Sequence, residues 1–360
     1  MQLSICIIAK NEEKNIKRCL QALAGYDFEI VVVDTGSTDA TKEIAYLYTN
    51  NVYDFTWCDD FAAAKNFAIS KAGGEFVMVL DCDEYLEYFD AEKLEELLRL
   101  HPEKVGRILR KNKLGETEGE EEVREYINRI FSKKLFYYEG RIHEQVVSCA
   151  GESYEMYEAP VSVIHSGYIL NKEERKNKTE RNISMLLREL ELITAEKKVE
   201  QIPYILYQLG KSYYMARDYE EACSFFARGL SYDLNPKLEY VIDMVETYGY
   251  ALINSGQAEM ALFFENIYKE FGQTADFQFL MGLIYMNNAR FEDAVNEFLK
   301  ATTHKECRNV GVNSFSAFYN IGVIYECLEQ WERAKEYYEK CGDYEPAKKR
   351  LNDETNHHLF

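Results

Sequence analysis

At 360 residues, 47% apolar and 14% aromatic, the chain is long enough for two domains with separate cores and too aromatic for disorder. Its 62 acidic against 42 basic residues, a formal charge of -20, argue against a nucleic-acid binder that neutralises phosphates. No segment approaches the ~20 apolar residues that cross a bilayer. Nine cysteines are scattered without a C-x-x-C pair, which fits reduced thiols better than a disulfide framework or a zinc site. Met1 to Ile5 enters a strand pattern without the basic and apolar regions of a signal peptide, so a cytoplasmic protein is expected.

Leu3 to Ala9 reads as a buried strand, and Lys10-Asn11-Glu12-Glu13 opens a helix with Ile16, Cys19, Leu20 and Leu23 on one face. A second strand, Glu29 to Val33, ends in Asp34-Thr35-Gly36-Ser37-Thr38-Asp39. There Gly36 permits a tight turn, and Ser37 or Thr38 can cap the next helix. Val52 to Phe55 is a third strand, followed by a helix from Phe61 to Lys71 that Gly73-Gly74 stops. Phe76 to Leu80 is an unbroken apolar run, the mark of a strand buried on both faces, and it breaks into Asp81-Cys82-Asp83-Glu84. Strand and helix alternate, which predicts a mostly parallel α/β sheet. Ligands bind such sheets at the carboxyl ends of the strands, where carboxylates can hold a divalent cation and through it phosphate oxygens. Cys82 reads as a small filler that points back to the core.

Arg107 to Lys111 is a further strand, Glu116 to Glu122 a solvated acidic loop, and Val123 to Phe131 a strand carrying Asn128 and Arg129. Tyr137 to Gln145 is a dense polar cluster, and Val161 to Tyr168 is a strand that includes His165.

Taken together, Ser4 to Glu12, Val31 to Asp39, Ala64-Lys65-Asn66 and Leu80 to Glu84 resemble the nucleotide-sugar half of glycosyltransferase family 2, the GT-A fold, with four motifs in order over about 85 residues. The resemblance implies a UDP-sugar donor and Mn²⁺ or Mg²⁺. It implies that Asp34 accepts from the uracil imide, that Ala9 and Glu12 line base and ribose, and that Lys65 approaches the base or the diphosphate. Asp81 would bind ribose hydroxyls directly or through the metal, Cys82 lies on the same donor-binding turn, and Asp83 would ligate the ion. A late histidine serves some relatives as a further metal ligand, and His165 falls there; a core or diphosphate-contacting histidine is the other reading. Gly140-Arg141-Ile142-His143-Glu144 is similar to a G-x-I-H-E stretch of members that carry helical repeats. Inverting transfer needs a base for the acceptor proton, and Glu144 is the first candidate, His143 the second and Glu139 the third.

Residues 171–202 read as a charged connecting helix, with Ile183, Leu186, Leu187, Leu190 and Ile193 at helical spacing. From Pro203 the chain repeats. Gly210, Gly249, Gly282 and Gly322 are each followed twelve residues on by alanine, at 222, 261, 294 and 334, and sixteen on by Phe226, Glu265, Phe298 and Tyr338. This resembles the tetratricopeptide repeat, an all-α solenoid, with the second unit degenerate at Glu265. Tyr214, Phe225, Tyr248 and Phe264 read as packing between helices. The expected division is therefore a GT-A domain over 1–170, the connecting helix, repeats over 203–345 and a tail over 346–360, whose His357-His358 is no metal site. Family members with this layout include bacterial enzymes that glycosylate peptides or proteins. The expectation is an inverting transferase moving a hexose or N-acetylhexosamine to a peptide or protein side chain, the repeats holding the polypeptide or forming a homodimer. A transferase of lipopolysaccharide or capsule glycan is the alternative. A non-enzymatic repeat adaptor is disfavoured, because Asp34, Asp81 and Asp83 are all present.

Overall fold

A computed structural model describes residues 3–113, 122–165 and 172–357. The chain divides into two compact units, Met1–Arg175 and Lys176–Phe360. Among the described residues no helix is long and apolar enough to cross a membrane.

The first unit runs β1 (Leu3–Ala9), α1 (Ile16–Leu23), β2 (Glu29–Asp34), α2 (Thr41–Tyr46), β3 (Val52–Asp54), α3 (Phe61–Lys71), β4 (Phe76–Asp81), β5 (Glu84–Phe89), α4 (Ala91–Leu100), β6 (Val105–Lys113), β7 (Glu122–Ser132), β8 (Phe136–Glu139), β9 (Gln145–Ser148) and β10 (Met156–His165). Eight strands form one sheet in the order β3-β2-β1-β4-β7-β6-β10-β5, and β8 and β9 form a separate hairpin. The first four are parallel, as are β6 and β10, while β7 and β5 run antiparallel to their neighbours. Successive residues of a strand face opposite sides, and the central strands are apolar on both. Ile5, Ile7, Met78 and Leu80 pack with Ile16, Leu20 and Leu23 of α1. Cys6, Val31, Val33, Val77 and Val79 pack with Ala68 and Ile69 of α3 and Tyr138 of β8. The register pairs Ala9 with Asp34 and Ile8 with Asp81, which brings three expected site residues to one end of the sheet.

Glu84, expected to close the acidic turn, begins β5, which pairs with β10 at the far edge. Ser37 and Thr38 do not cap the following helix, because both are drawn to Asn11 of the first loop; α2 starts at Thr41, where Asp39 Oδ1 accepts from the Thr41 N–H at 3.0 Å. Glu116 to Glu121 of the acidic run, and the end of the last strand at Gly167 and Tyr168, lie outside the described residues.

In the second unit, the division falls within α5 (Lys172–Ala195) rather than at residue 170. Helical hairpins follow: α6 (Ile202–Met215) with α7 (Tyr219–Leu230), then α8 (Glu239–Asn254) with a 3₁₀ stretch (Met260–Ile267) and the short α9 (Tyr268–Phe271). Next come α10 (Ala275–Asn287) with α11 (Phe291–Ala301), then α12 (Phe315–Cys327) with α13 (Trp331–Glu339). The glycine-to-aromatic spacing of sixteen is a contact. A Cβ on Gly210, Gly282 or Gly322 would lie 2.5 to 2.6 Å from the ring of Phe226, Phe298 or Tyr338. Only hydrogen fits, so paired helices meet closely there. The degenerate unit solves the problem differently, Gly249 facing Leu280 of the next hairpin, with Phe264 fully buried one position before Glu265. Phe225 and Tyr248 are also buried, as packing requires, and Tyr214 is half-buried. The expected tail carries one more helix, α14 (Glu345–His357), because Ala347 packs against Tyr338 and Ala334. His358 lies outside the described residues.

Candidate active site

The loops after β1 and β2 are laced together. The Asn11 N–H donates to Ser37 Oγ at 2.9 Å, the Thr38 N–H to Asn11 Oδ1 at 2.8 Å, and the Glu12 N–H to Thr41 Oγ1 at 2.7 Å. The Ala9 carbonyl accepts from the Thr35 N–H at 2.8 Å and its hydroxyl at 3.1 Å. Glu12 accepts from Asn15 Nδ2 at 2.8 Å. Asp34 is 4% exposed, and its Oδ1 accepts from the N–H groups of Gly36 and Ser37, both at 2.9 Å. Gly36 allows this turn because its φ is +101°. Asp34 Oδ2 is buried with no hydrogen-bond partner among the described residues, a costly state for a carboxylate oxygen unless a ligand donates to it.

After β4 the acids separate. Asp81 turns to two buried cations, Oδ1 to Lys65 Nζ at 2.9 Å and Oδ2 to Arg129 Nη2 at 2.7 Å. Burial opposes its charge, but Arg129 and Lys65 prevail and hold the carboxyl well below the usual range. Cys82 turns back to β1, its Sγ 3.2 Å from the Ile8 carbonyl, and burial pushes its thiol well up. Asp83 meets His165, Oδ2 to Nε2 at 3.2 Å. Glu84 is fully buried and accepts from the Asp81 N–H at 3.1 Å, from Arg129 at 3.2 Å and from Arg110 at 3.2 Å.

Lys65 joins this turn to the polar cluster after β8, because its Nζ also lies 2.6 Å from Glu144 Oε1. Burial would lower the ammonium's proton affinity, yet Asp81 and Glu144 outweigh it and raise it above its ordinary value. Asn66 grips the backbone of Tyr138 from both sides, donating to its carbonyl at 2.8 Å and accepting from its N–H at 2.9 Å. The Phe61 N–H donates to the Arg141 carbonyl at 2.8 Å. These bonds hold the segment bearing Glu144 against α3. His143, at φ +52°, is half-buried, and Glu139 is exposed on the side of β8 opposite the buried Tyr138.

Among the described residues no group of three or more His, Cys, Asp and Glu converges as a metal cage. Asp83 and His165, whose Oδ2 and Nε2 stand 3.2 Å apart, are a carboxylate and an imidazole that would hold a divalent ion together with ligands from a donor or water.

Residues 4–159 match the family described as Glycosyl transferase family 2, and residues 204–228, 275–303 and 315–348 match tetratricopeptide repeats. The chain carries a glycosyltransferase family 2 domain followed by tetratricopeptide repeats. It is 23% identical over 348 residues to the SPbeta prophage-derived glycosyltransferase SunS of Bacillus subtilis, covering 92% of this chain and 78% of that one. A TPR repeat-containing protein of Synechococcus elongatus is 41% identical over 85 residues, 24% of this chain, and the chain spans only 21% of its length. The poly(ribitol-phosphate) beta-N-acetylglucosaminyltransferase TarS of Staphylococcus aureus is 35% identical over 96 residues, 24% of this chain and 17% of that one. The solved structure of TarS residues 1–349 aligns over 84% of this chain and 92% of that one, at 17% identity and a TM-score of 0.36.

In this glycosyltransferase domain the expected residues do not form one cluster of ligands. Lys65, Asp81 and Glu144 come together, Asp83 and His165 come together, and Ala9, Glu12 and Asp34 line the first two loops. Sequence reasoning missed the residues that connect the first two groups. From Glu144 the contacts run through Lys65, Asp81, Arg129, Glu84, Arg110, Glu125 and Asn112 to His165 and Asp83. The available signal was polarity where a strand should be apolar, since Arg129 and Asn112 are 7% and 3% exposed on β7 and β6.

Proposed function

We propose that the protein is an inverting glycosyltransferase that moves a hexose or N-acetylhexosamine from a UDP-sugar to a polypeptide side chain with the help of Mn²⁺ or Mg²⁺. The observation that carries this reading is Asp34, a buried carboxylate with one oxygen satisfied by its own turn and the other without a donor among the described residues. A uracil imide N–H is a donor of the right kind, and cytosine presents an acceptor at the same position. Ala9 and Glu12 on the adjoining loop would line base and ribose. Asp83 and His165 would hold the ion, which when bound neutralises charge on the departing diphosphate.

Lys65 and Arg129 keep Asp81 ionised and oriented at the carboxyl end of β4, where a ribose hydroxyl can donate to it. Glu144, ion-paired to Lys65, would take the proton from the acceptor as the new bond forms on the face opposite the diphosphate. The repeats support a polypeptide acceptor, or self-association, because their function in general is to hold extended chains on a helical surface. Free cysteines throughout support a cytoplasmic site of action. A glycan acceptor is the second reading, favoured by the similarity to an enzyme named for poly(ribitol-phosphate).

The test is Mn²⁺-dependent release of UDP from a panel of UDP-sugars, with calorimetry for UDP binding. Asp34→Ala should weaken UDP about 10- to 100-fold, the worth of one hydrogen bond to a charged group, and Asp83→Ala should abolish the metal dependence. Wild-type affinity in the first variant or wild-type turnover in the second would remove that residue from the donor site. Labelled product on protein or on carbohydrate separates the two acceptor readings.

A further inference from the structure

An imidazole binds a metal only through the nitrogen that carries no proton, so something must decide which nitrogen of His165 that is. The neighbours on β6 and β7 decide it. Asn112 is 3% exposed, and its Nδ2 donates to Glu125 Oε1 at 2.5 Å. An amide that donates on one side presents its oxygen on the other, and Oδ1 lies 2.8 Å from His165 Nδ1. Turning the amide over would oppose two acceptors at the Glu125 contact. With an oxygen facing it, Nδ1 carries the proton. Nε2 is the other ring nitrogen, 3.2 Å from Asp83 Oδ2, and it is the one left to give its lone pair to an ion.

The arrangement is anchored rather than local. Arg110 fixes Glu125 from Nε at 3.1 Å and Nη2 at 2.8 Å, while its Nη1 reaches the buried Glu84 at 3.2 Å. Sheet register sets the same neighbours, pairing Arg110 with Glu125, Asn112 with His165, and His165 with Glu84. Strands β5, β6 and β7 therefore hold Glu84, Arg110, Asn112 and Glu125 beside the ring.

We propose that Asn112 is a positioning residue for the metal site: held by Glu125, it selects the Nδ1–H form of His165 and turns Nε2 toward the ion. This role rests on the metal-dependent reading given above. A ligand's hydrogen-bonded partner of this kind is worth about 10- to 100-fold in metal affinity.

The experiment uses the full chain labelled with ¹⁵N-histidine, metal-free, at about pH 8, where an ordinary imidazole is neutral. The chain has six histidines, so loss of one signal set in His165→Gln assigns the ring. A proton on Nδ1 is expected, and a bare Nδ1 overturns the proposal without any variant being needed. Mn²⁺ binding is then followed by the electron paramagnetic resonance of the free ion, with UDP present. Asn112→Leu should lose the defined Nδ1–H signal and weaken Mn²⁺ about 10- to 100-fold. Unchanged Mn²⁺ affinity in Asn112→Leu overturns the role of Asn112. A wild-type protein that shows the Nδ1–H ring but binds no Mn²⁺ overturns the metal-dependent reading instead, and the positioning role falls with it.

Discussion

Arg129 is the residue whose loss most directly tests how the acidic turn is held. It is 7% exposed, and its Nη2 lies 2.7 Å from Asp81 and 3.2 Å from the fully buried Glu84. Arg129→Met keeps the apolar stem and removes the charge. Deleting one partner of a buried ion pair costs about 3–5 kcal/mol, because the other charge stays buried without compensation. Here Glu84 keeps Arg110 and Asp81 keeps Lys65, and the Asp81 side chain is 35% exposed, so the low end applies, about 3 kcal/mol. For a unit of this size each kcal/mol moves the transition by about 2–4 °C, so a drop of about 6–12 °C is expected. Differential scanning calorimetry on the whole chain measures it, each unit being followed through its own transition. Adding Glu84→Gln to Arg129→Met should recover at least half of the loss, because the buried charge goes too. A shift under about 2 °C in the single variant, or a double variant no better than the single, would refute the claim that Arg129 neutralises Glu84.

Glu144→Gln should bind UDP as the parent does while transfer falls about 10²- to 10⁴-fold, the usual worth of a general base; transfer at the parental rate would move the base elsewhere. Gly210→Ala should destabilise the repeats by about 1–3 kcal/mol in urea, against the ~1 kcal/mol gain that helix propensity alone predicts, because the new Cβ lies 2.5 Å from Phe226. A more stable variant would show that the two helices are free to part. In the repeats, burial raises Glu246 from an ordinary 4.5 to about 8, Asp276 and Asp243 adding to the effect and Arg308 opposing it. The folded form then holds a proton that the unfolded chain has released, so repeat stability falls as pH rises from about 4.5 to about 8. Glu246→Gln should flatten that slope in melts across the range, and an unchanged slope would assign it to another group.

Features that depend on neighbours along the chain were legible in the residues alone. The apolar runs of β1 and β4 announced a sheet covered on both faces, Gly36 announced the turn that Asp34 closes, and the glycine and aromatic sixteen apart announced a ring seated on a bare backbone. Periodic burial and turn chemistry act over a few residues or one helical hairpin, so their signatures survive in one dimension. The same local patterns did not reveal that Asp81 and Asp83 face different partners, or that Glu84 starts an edge strand. Tertiary structure decided those, because Arg129 lies 48 residues from Asp81 and Asn112 lies 53 from His165. Such pairs meet only through the register of β4 with β7 and of β6 with β10, and an ion pair's strength follows distance in space, which no spacing along the chain encodes.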